Sequence, residues 1–567
     1  MINKKIIYIL LVTFLLFGII FFRLIFLQIY WQDYFTARSQ KNFIRHITVD
    51  SPRGSIRDVQ GNLLATNRPV TTIYWQGTGK GSLTEEQLVL LKMIERHTNV
   101  ILTTGQKWDA IVASEKKSKK VSLVSDVNIT FLSKLVEQFP NHGNIVIDTQ
   151  FKRFYPYNTY CSHIVGYLGN IATYAHGQFG LEKLFNEDLC GKKGSIRYVV
   201  NSVGQCISQV ELEKALAGND IKTTINIDMQ IVCEKIFPEH QTGSIIVLNP
   251  LDGAIVSVVS RPNFDPNIFL DPISQQTWQG LQENNPFLNR AFDASYPSGS
   301  IFKLVTTSAA LESGIIVQES LWNCKGYTLF GKRKYWCARR SGHGEISIKK
   351  AVAESCNTLF FEIGKKIDID VLAEYAYKFG LGKKTNIIFP EKIGLIPNRE
   401  WKFQYKGEPW WPGETLSVAI GQSFLLATPI QIACMIASIF TGYLVAPRLL
   451  VNEPITMTPL DIKPETIAFL KKSMKSVVKS GTGRAVRKIK DIVIYAKTST
   501  AQTSDFSKRK LDKKYLEHGC FVGHFQYKEY EPLVIVVFIE RVGTAQVATT
   551  IAKNFLIEYK KYMDLIH

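Results

Sequence analysis

The chain has 567 residues, 46% hydrophobic and 21% charged, a composition that fills large cores and excludes disordered, collagenous and mini-protein classes. Lysine and arginine number 68 against 49 acidic residues, and the net charge of +19 favours anionic surroundings: a lipid surface, nucleic acid or an acidic polymer. Nine cysteines are too sparse at this length for a disulfide framework.

Lys4 and Lys5 precede an uncharged run from Ile6 to Phe22, IIYILLVTFLLFGIIFF. At ~1.5 Å per residue this run spans about 26 Å as a helix, close to a bilayer core. After Arg23 the segment LIFLQIYW can continue the helix, and Tyr30, Trp31 and Tyr34 suit the headgroup level. A cleaved signal peptide wants small residues at its cleavage site, and only Gly18 breaks the bulky run, so an uncleaved anchor is the favoured reading. The expectation is a cytoplasmic tail at 1–5, a transmembrane anchor at 6–30, and the remainder outside the inner membrane, single-pass and periplasmic. No zinc-finger, RNP or helix-turn-helix pattern supports nucleic acid, so the basic surplus is assigned to membrane lipid or cell wall.

From about residue 60 to 230 the segments read as short and β-leaning, and Glu115 to Lys120 as a solvated loop. Lys222 to Ile227 reads as a strand and Met229 to Phe237 as a short helix. Character changes at Gly243, where GSIIVLN and AIVSVVS form two apolar strands around Pro250-Leu251-Asp252-Gly253. Ile301 to Glu312 has helical apolar spacing, and helices are also expected at Asn357 to Lys366 and Pro429 to Phe440. The chain returns to strands at 491–497, 520–526 and 532–540, and Ala545 to Tyr562 predicts a closing helix. Strands at both ends with helices between predict one α/β domain whose sheet joins distant segments.

Ser300-Ile301-Phe302-Lys303 places a hydroxyl and an amine on one face at the start of a helix. The helix N-terminus offers N–H donors to an oxyanion. Serine needs an adjacent base, and a lysine serves only when neutral, through burial or a nearby cation. The spacing alone is common: Ser114/Lys117, Ser347/Lys350, Ser476/Lys479 and Ser507/Lys510 share it and read as surface coincidences. Ser300 differs in its setting, and Ser355-Cys356-Asn357 and Lys497-Thr498-Ser499-Thr500 follow it in order.

This ordered set resembles the penicillin-recognising serine transferases and hydrolases, whose motifs are SxxK, S-x-N and K-T-G. RGSIRDVQGNLLATN (53–67), Gly180-Leu181-Glu182, Asp220 to Gln230, NPFLNRAFDASYPSGSIFK (285–303), SCNTLFF (355–361) and AIGQSFLLATPIQIA (419–433) extend the resemblance over nearly the whole chain. It is closest to class B penicillin-binding proteins of the penicillin-binding protein 2 type, associated with elongation; the SCN form and Gly342-His343-Gly344 favour that subgroup. The resemblance implies an antiparallel sheet flanked by helices at 236–567 and a β-rich, dimerisation-type pedestal at 31–235. It implies a peptidoglycan D,D-transpeptidase in which Ser300 attacks the D-alanyl-D-alanine of a stem peptide and Lys303 takes its proton. Ser355 would relay a proton to the leaving amine, Asn357 hold the peptide, and Lys497 with Thr498 and Thr500 bind the terminal carboxylate. The N–H groups of Ser300 and Thr500 would form the oxyanion hole, and β-lactams would stall as acyl adducts. It further implies a polytopic glycosyltransferase and shape-determining proteins as partners, and no cofactor for catalysis. The family's K-T-G glycine is Ser499 here, whose side chain either faces away or narrows the cleft.

Cys324, Cys337, His343 and Cys356 are spaced C-x12-C-x5-H-x12-C. Three thiolates and an imidazole suit a closed tetrahedral zinc site. A Cys324–Cys337 disulfide or an inert buried Cys356 are the competing readings. The remaining cysteines and His163, His518 and His524 read as structural. Two other functions remain open: a hydrolytic D,D-carboxypeptidase or β-lactamase, for which no water-activating base stands out, and a weakly active assembly scaffold.

Overall fold

The computed structural model describes residues 4–566 except 50, 80, 118, 141–142, 172–173, 201–205, 284, 503–511 and 513–514, with backbone alone at 40–42, 45–47, 170–171, 174–175, 200 and 206. The Ser507/Lys510 pair and the side chain of Cys206 lie outside the described residues. An apolar helix covers Lys4–Ile25 and continues through a wider turn, Phe26–Tyr30; its 27 residues are long enough to cross a membrane, and none of its apolar window is buried in protein.

The chain forms two compact units, each drawn from discontinuous segments, and the apolar helix belongs to the first. One comprises residues up to Gly54, Asn67–Phe154 and Glu187–Asn219; the other comprises Ser55–Thr66, Tyr155–Asn186 and Asp220–His567. In the first, Ile44–Val49, Gly194–Val200 and Cys206–Glu213 make a three-stranded antiparallel sheet. The β-leaning reading of this region is corrected by three helices, Glu85–Thr98, Gly105–Lys117 and Ile129–Gln138. Their apolar faces (Leu90, Leu91, Ile94, Ile111, Phe131, Leu135) close over Ile73 and Trp75. The helix signal was present: Thr84 and Gln87 form a capping box, and buried 87, 90, 91 and 94 keep a 3.6-residue period. Glu115 is also not part of a solvated loop. It is buried on the second helix and accepts the Trp75 indole N–H at 2.9 Å.

The second unit is built on a five-stranded antiparallel sheet in the spatial order Ile255–Arg261, Gly243–Leu248, Leu533–Ile539, His518–Tyr527, Ile492–Ala501. Segments almost 300 residues apart in sequence thus become neighbours, as the apolar runs at both ends of the region predict. One sheet face meets Ile227–Ile236 and Ala545–Ile566 through Met229, Ile245, Val247, Phe521, Phe525, Phe555 and Tyr559. Pro429–Thr441 and Pro464–Lys479 cover the other. Covering both faces is why LVIVVFI is apolar at every position and buried at every position. The strand expected over 222–227 is shorter. Ile221–Lys222 pairs as a strand, Thr223 adds a single bridge to Leu450, and Asn226 caps the following helix by accepting the Met229 N–H at 3.1 Å.

Candidate active site

The nucleophile candidate sits where a turn of 3-10 helix, Gly299–Ile301, feeds the buried helix Lys303–Glu312. Gly299 has φ +53°, and its N–H donates to the Gly421 carbonyl at 2.9 Å, so the AIGQS segment braces the turn. Ser300 lines a cleft of about 900 Å³, together with Ser355, Asn357, Thr498 and Thr500.

Below Ser300 lies a buried network centred on Ser355. Its hydroxyl lies 2.7 Å from the Ser300 hydroxyl and 3.2 Å from both Lys303 Nζ and Lys497 Nζ. Lys303 Nζ also donates to the Ser355 carbonyl at 2.8 Å and to Asn357 Oδ1 at 2.7 Å. Among the described residues Lys303 makes no direct hydrogen bond to Ser300; the path runs through Ser355. Both lysines are fully buried. Burial lowers Lys303 to about 8. Burial, and then the charge of Lys303, lower Lys497 well below the lysine range. Ser355 holds φ +55°, a costly conformation for serine that its surroundings must impose.

The opposite wall is the edge strand Ile492–Ala501. Strand alternation turns Thr498 and Thr500 toward the cleft, and Lys497 and Ser499 inward. Lys497 therefore lies beneath the cleft surface, donating to the Thr498 carbonyl at 2.8 Å. Ser499 faces away from the cleft: its hydroxyl donates to the Ser298 carbonyl at 2.9 Å. It occupies space that Gly299 leaves open, since a Cβ on Gly299 would stand 2.4 Å from Ser499 Oγ. Sequence reasoning missed Thr482, which shares a 2.5 Å hydrogen bond with Thr498 Oγ1 and lines the cleft beside Arg484; its only signal was the S-G-T-G turn before the strand.

The four candidate metal ligands converge. Their ligand atoms lie within 4.8 Å of one another, with Cys324 Sγ and Cys337 Sγ 3.4 and 3.6 Å from His343 Nδ1 and Cys337 Sγ 3.9 Å from Cys356 Sγ. A tetrahedral ion with Zn–S of ~2.3 Å and Zn–N of ~2.0 Å would set sulfurs roughly 3.8 Å apart and nitrogen roughly 3.5 Å from sulfur. The donor set fits that geometry. All three cysteines are free thiols, not the Cys324–Cys337 disulfide. His343 Nε2 lies 3.5 Å from Glu354, which can orient the ring. Sulfur-to-sulfur contact with Cys356 and the Asn357 N–H hold the Cys337 thiol well below its usual range.

The other sequence-level candidates are structural. His163 bonds the Pro286 carbonyl at 2.6 Å, His518 accepts the Arg541 N–H at 3.1 Å, and His524 stacks on Phe440 at 3.8 Å; burial lowers all three to about 4. Ser347 caps a helix and Ser476 bonds its own helix. Ser114 is buried, not on the surface, and donates to the Ile111 carbonyl at 2.9 Å. Cys161, Cys233, Cys434 and Cys520 are buried thiols raised by burial, and Cys190 is half-buried.

Residues 243–556 match the penicillin binding protein transpeptidase domain, and residues 48–223 match the penicillin-binding protein dimerisation domain. Similar proteins include the peptidoglycan D,D-transpeptidase MrdA of Salmonella typhimurium, 31% identical over 79% of this chain and 75% of that one. The MrdA of Acinetobacter baumannii is 28% identical over 95% of this chain and 85% of that one. Among solved structures, penicillin-binding protein 2 from Helicobacter pylori, in its complex with MreC, aligns with a TM-score of 0.78 at 25% identity, covering 92% of this chain and 99% of that one. A chain of a peptidoglycan synthase complex that coordinates polymerization and crosslinking aligns at 0.75 with 28% identity, covering 97% of each.

Proposed function

The chain belongs to the family of penicillin-binding protein transpeptidases, and on that premise we propose that this elongation-type peptidoglycan D,D-transpeptidase works through a serine acyl-enzyme on Ser300. The observation that carries the assignment is the chain of contacts Ser300–Ser355–Lys303, closed beneath a cleft by two fully buried lysines.

A neutral Lys303 spends its two N–H bonds on the Ser355 carbonyl and Asn357 Oδ1, which aims its lone pair at Ser355 Oγ. As Ser300 Oγ bonds to the carbonyl carbon of the penultimate D-alanine, its proton passes to Ser355 Oγ and the Ser355 proton to Lys303. The backbone N–H groups of Ser300 and Thr500 receive the oxyanion. Collapse breaks the C–N bond, and Lys303 returns the proton through Ser355 to the departing D-alanine. An amine of a neighbouring stem peptide then bonds to the ester carbonyl carbon; its proton passes through Ser355 to Lys303 and back to Ser300 Oγ as the Oγ–C bond breaks, and the cross-linked amide leaves. Thr498 and Thr500 hydroxyls meet the terminal carboxylate; Lys497 beneath them supplies charge, because an arriving carboxylate offsets the burial that favours its neutral form. The Asn357 amide N–H2, at the cleft, holds the peptide. A β-lactam enters the same path and remains as the acyl adduct.

The same reading places zinc on Cys324, Cys337, His343 and Cys356 as a structural ion. Cys356 lies between Ser355 and Asn357, so the ion would pin the turn that carries both. The helix Lys4–Tyr30, long and apolar enough to cross a membrane, supports reading the chain as single-pass, with the residues after it on the periplasmic side. A shape-determining protein and a polytopic glycosyltransferase are its proposed partners, supported by the MreC complex and the peptidoglycan synthase complex among its structural neighbours.

Fluorescent penicillin tests the assignment. The wild-type chain takes the label and Ser300→Ala does not; equal labelling refutes the nucleophile, and rapid release of hydrolysed penicillin points to a carboxypeptidase or β-lactamase instead.

A further inference from the structure

A second concavity, of about 860 Å³, lies in the same unit as the cleft. Lys472, Lys475 and Lys479 project into it from the helix Pro464–Lys479, joined by Lys349, Arg487 and Lys488. All six are exposed, and none is ion-paired with a carboxylate among the described residues. The contrast within the unit is clear: Lys365, Lys378 and Lys560 each meet an acidic side chain. Six like charges around one groove repel each other, so the arrangement favours an anionic occupant. The floor is apolar, formed by Val478, Ile492 and Ile494.

The charges run in a line instead of converging on a point. Lys472, Lys475 and Lys479 follow i, i+3, i+7 spacing, a row of about 10 Å at ~1.5 Å per residue. A single small anion would engage one or two of them; a polymer with repeating acidic groups engages the row. The groove also joins the cleft through one segment. Ser480, Gly481, Thr482 and Arg484 line the cleft, and Arg487 and Lys488 of the same turn line the groove.

We propose that this groove binds the carboxylate-bearing stem peptides of the glycan strand whose neighbouring peptide occupies the Ser300 cleft, an extended subsite for acidic polymer. The inference rests on the transpeptidase reading of that cleft. In that arrangement the exposed charges add affinity along the strand without touching the reacting atoms.

The test uses the full chain in neutral detergent and the triple variant Lys472→Gln, Lys475→Gln, Lys479→Gln. Uncrosslinked glycan strands bearing pentapeptide stems should bind the variant on the order of tenfold more weakly, with a flatter salt dependence. A triple Lys→Arg variant should restore binding. The rate of penicillin acylation should not change, because the probe is too small to reach the groove; this also confirms that the variant folds. Equal strand binding by wild type and the glutamine variant overturns the proposal. So does a loss confined to phosphatidylglycerol vesicles, which would make the groove a lipid site. An unacylated wild-type chain refutes the cleft reading instead, and strand binding remains measurable separately.

Discussion

Lys303 meets two acceptors at 2.7 and 2.8 Å in a fully buried pocket, and its ammonium form is disfavoured enough to bring it to about 8. A base acts when deprotonated, so penicillin acylation should climb with pH through about 8 and level off above it. Rates measured from about pH 6 to about pH 10 check this; a profile flat through 8 removes Lys303 as the base. Ser499 stands where the motif has glycine. Ser499 fits because Gly299 has no side chain, so Gly299→Ala sets a Cβ against Ser499 Oγ at a positive φ. That variant should lose about 1–3 kcal/mol of stability and most acylation, both followed on the purified chain. Ser499→Gly leaves the Ser298 carbonyl without this donor and should cost about 1 kcal/mol in a denaturant titration while acylation persists. At this scale the sequence displayed the reactive residue types but not their directions. Whether Ser499 narrows the cleft depended on strand alternation and on a glycine 200 residues earlier in the chain.

The elements divide by how local their causes are. LVIVVFI and GSIIVL read as strands because both faces are covered and every position must be apolar. The helix Glu85–Thr98 escaped the β-leaning reading because its β-branched and charged residues obscure a buried stripe that a period count at 87, 90, 91 and 94 reveals. The element with most consequence is the turn before Asn357–Lys366. Cys356 ties it to Cys324 and Cys337, which come from two separate hairpin segments, and Ser355 carries the positive φ. Purified chain should contain one zinc per molecule by elemental analysis. Chelation should lower the melting temperature, because an ion that binds only the folded state stabilises it by mass action. Unchanged melting with metal-free protein would make the cluster a set of buried thiols.

For the whole molecule, the apolar helix Lys4–Tyr30 and the net charge of +19 act at the scale of location. Deleting residues 1–30 should move the chain from the membrane pellet to the soluble fraction while fluorescent penicillin still labels it. Retention in the pellet after high salt would assign membrane attachment to another surface.

The amino-acid order alone displayed the apolar N-terminal run, all five strands of the large sheet, the nucleophile candidate and the set of four candidate metal ligands. Each is encoded by residue types and by spacing over a few turns of chain. Only the tertiary structure decided that Lys303 reaches Ser300 through Ser355, that Lys497 lies beneath the cleft surface, and that Glu115 is buried. It also gathered into one groove six cations that meet no carboxylate among the described residues. These depend on which distant segments approach and on the burial that approach imposes, and no local pattern carries that information.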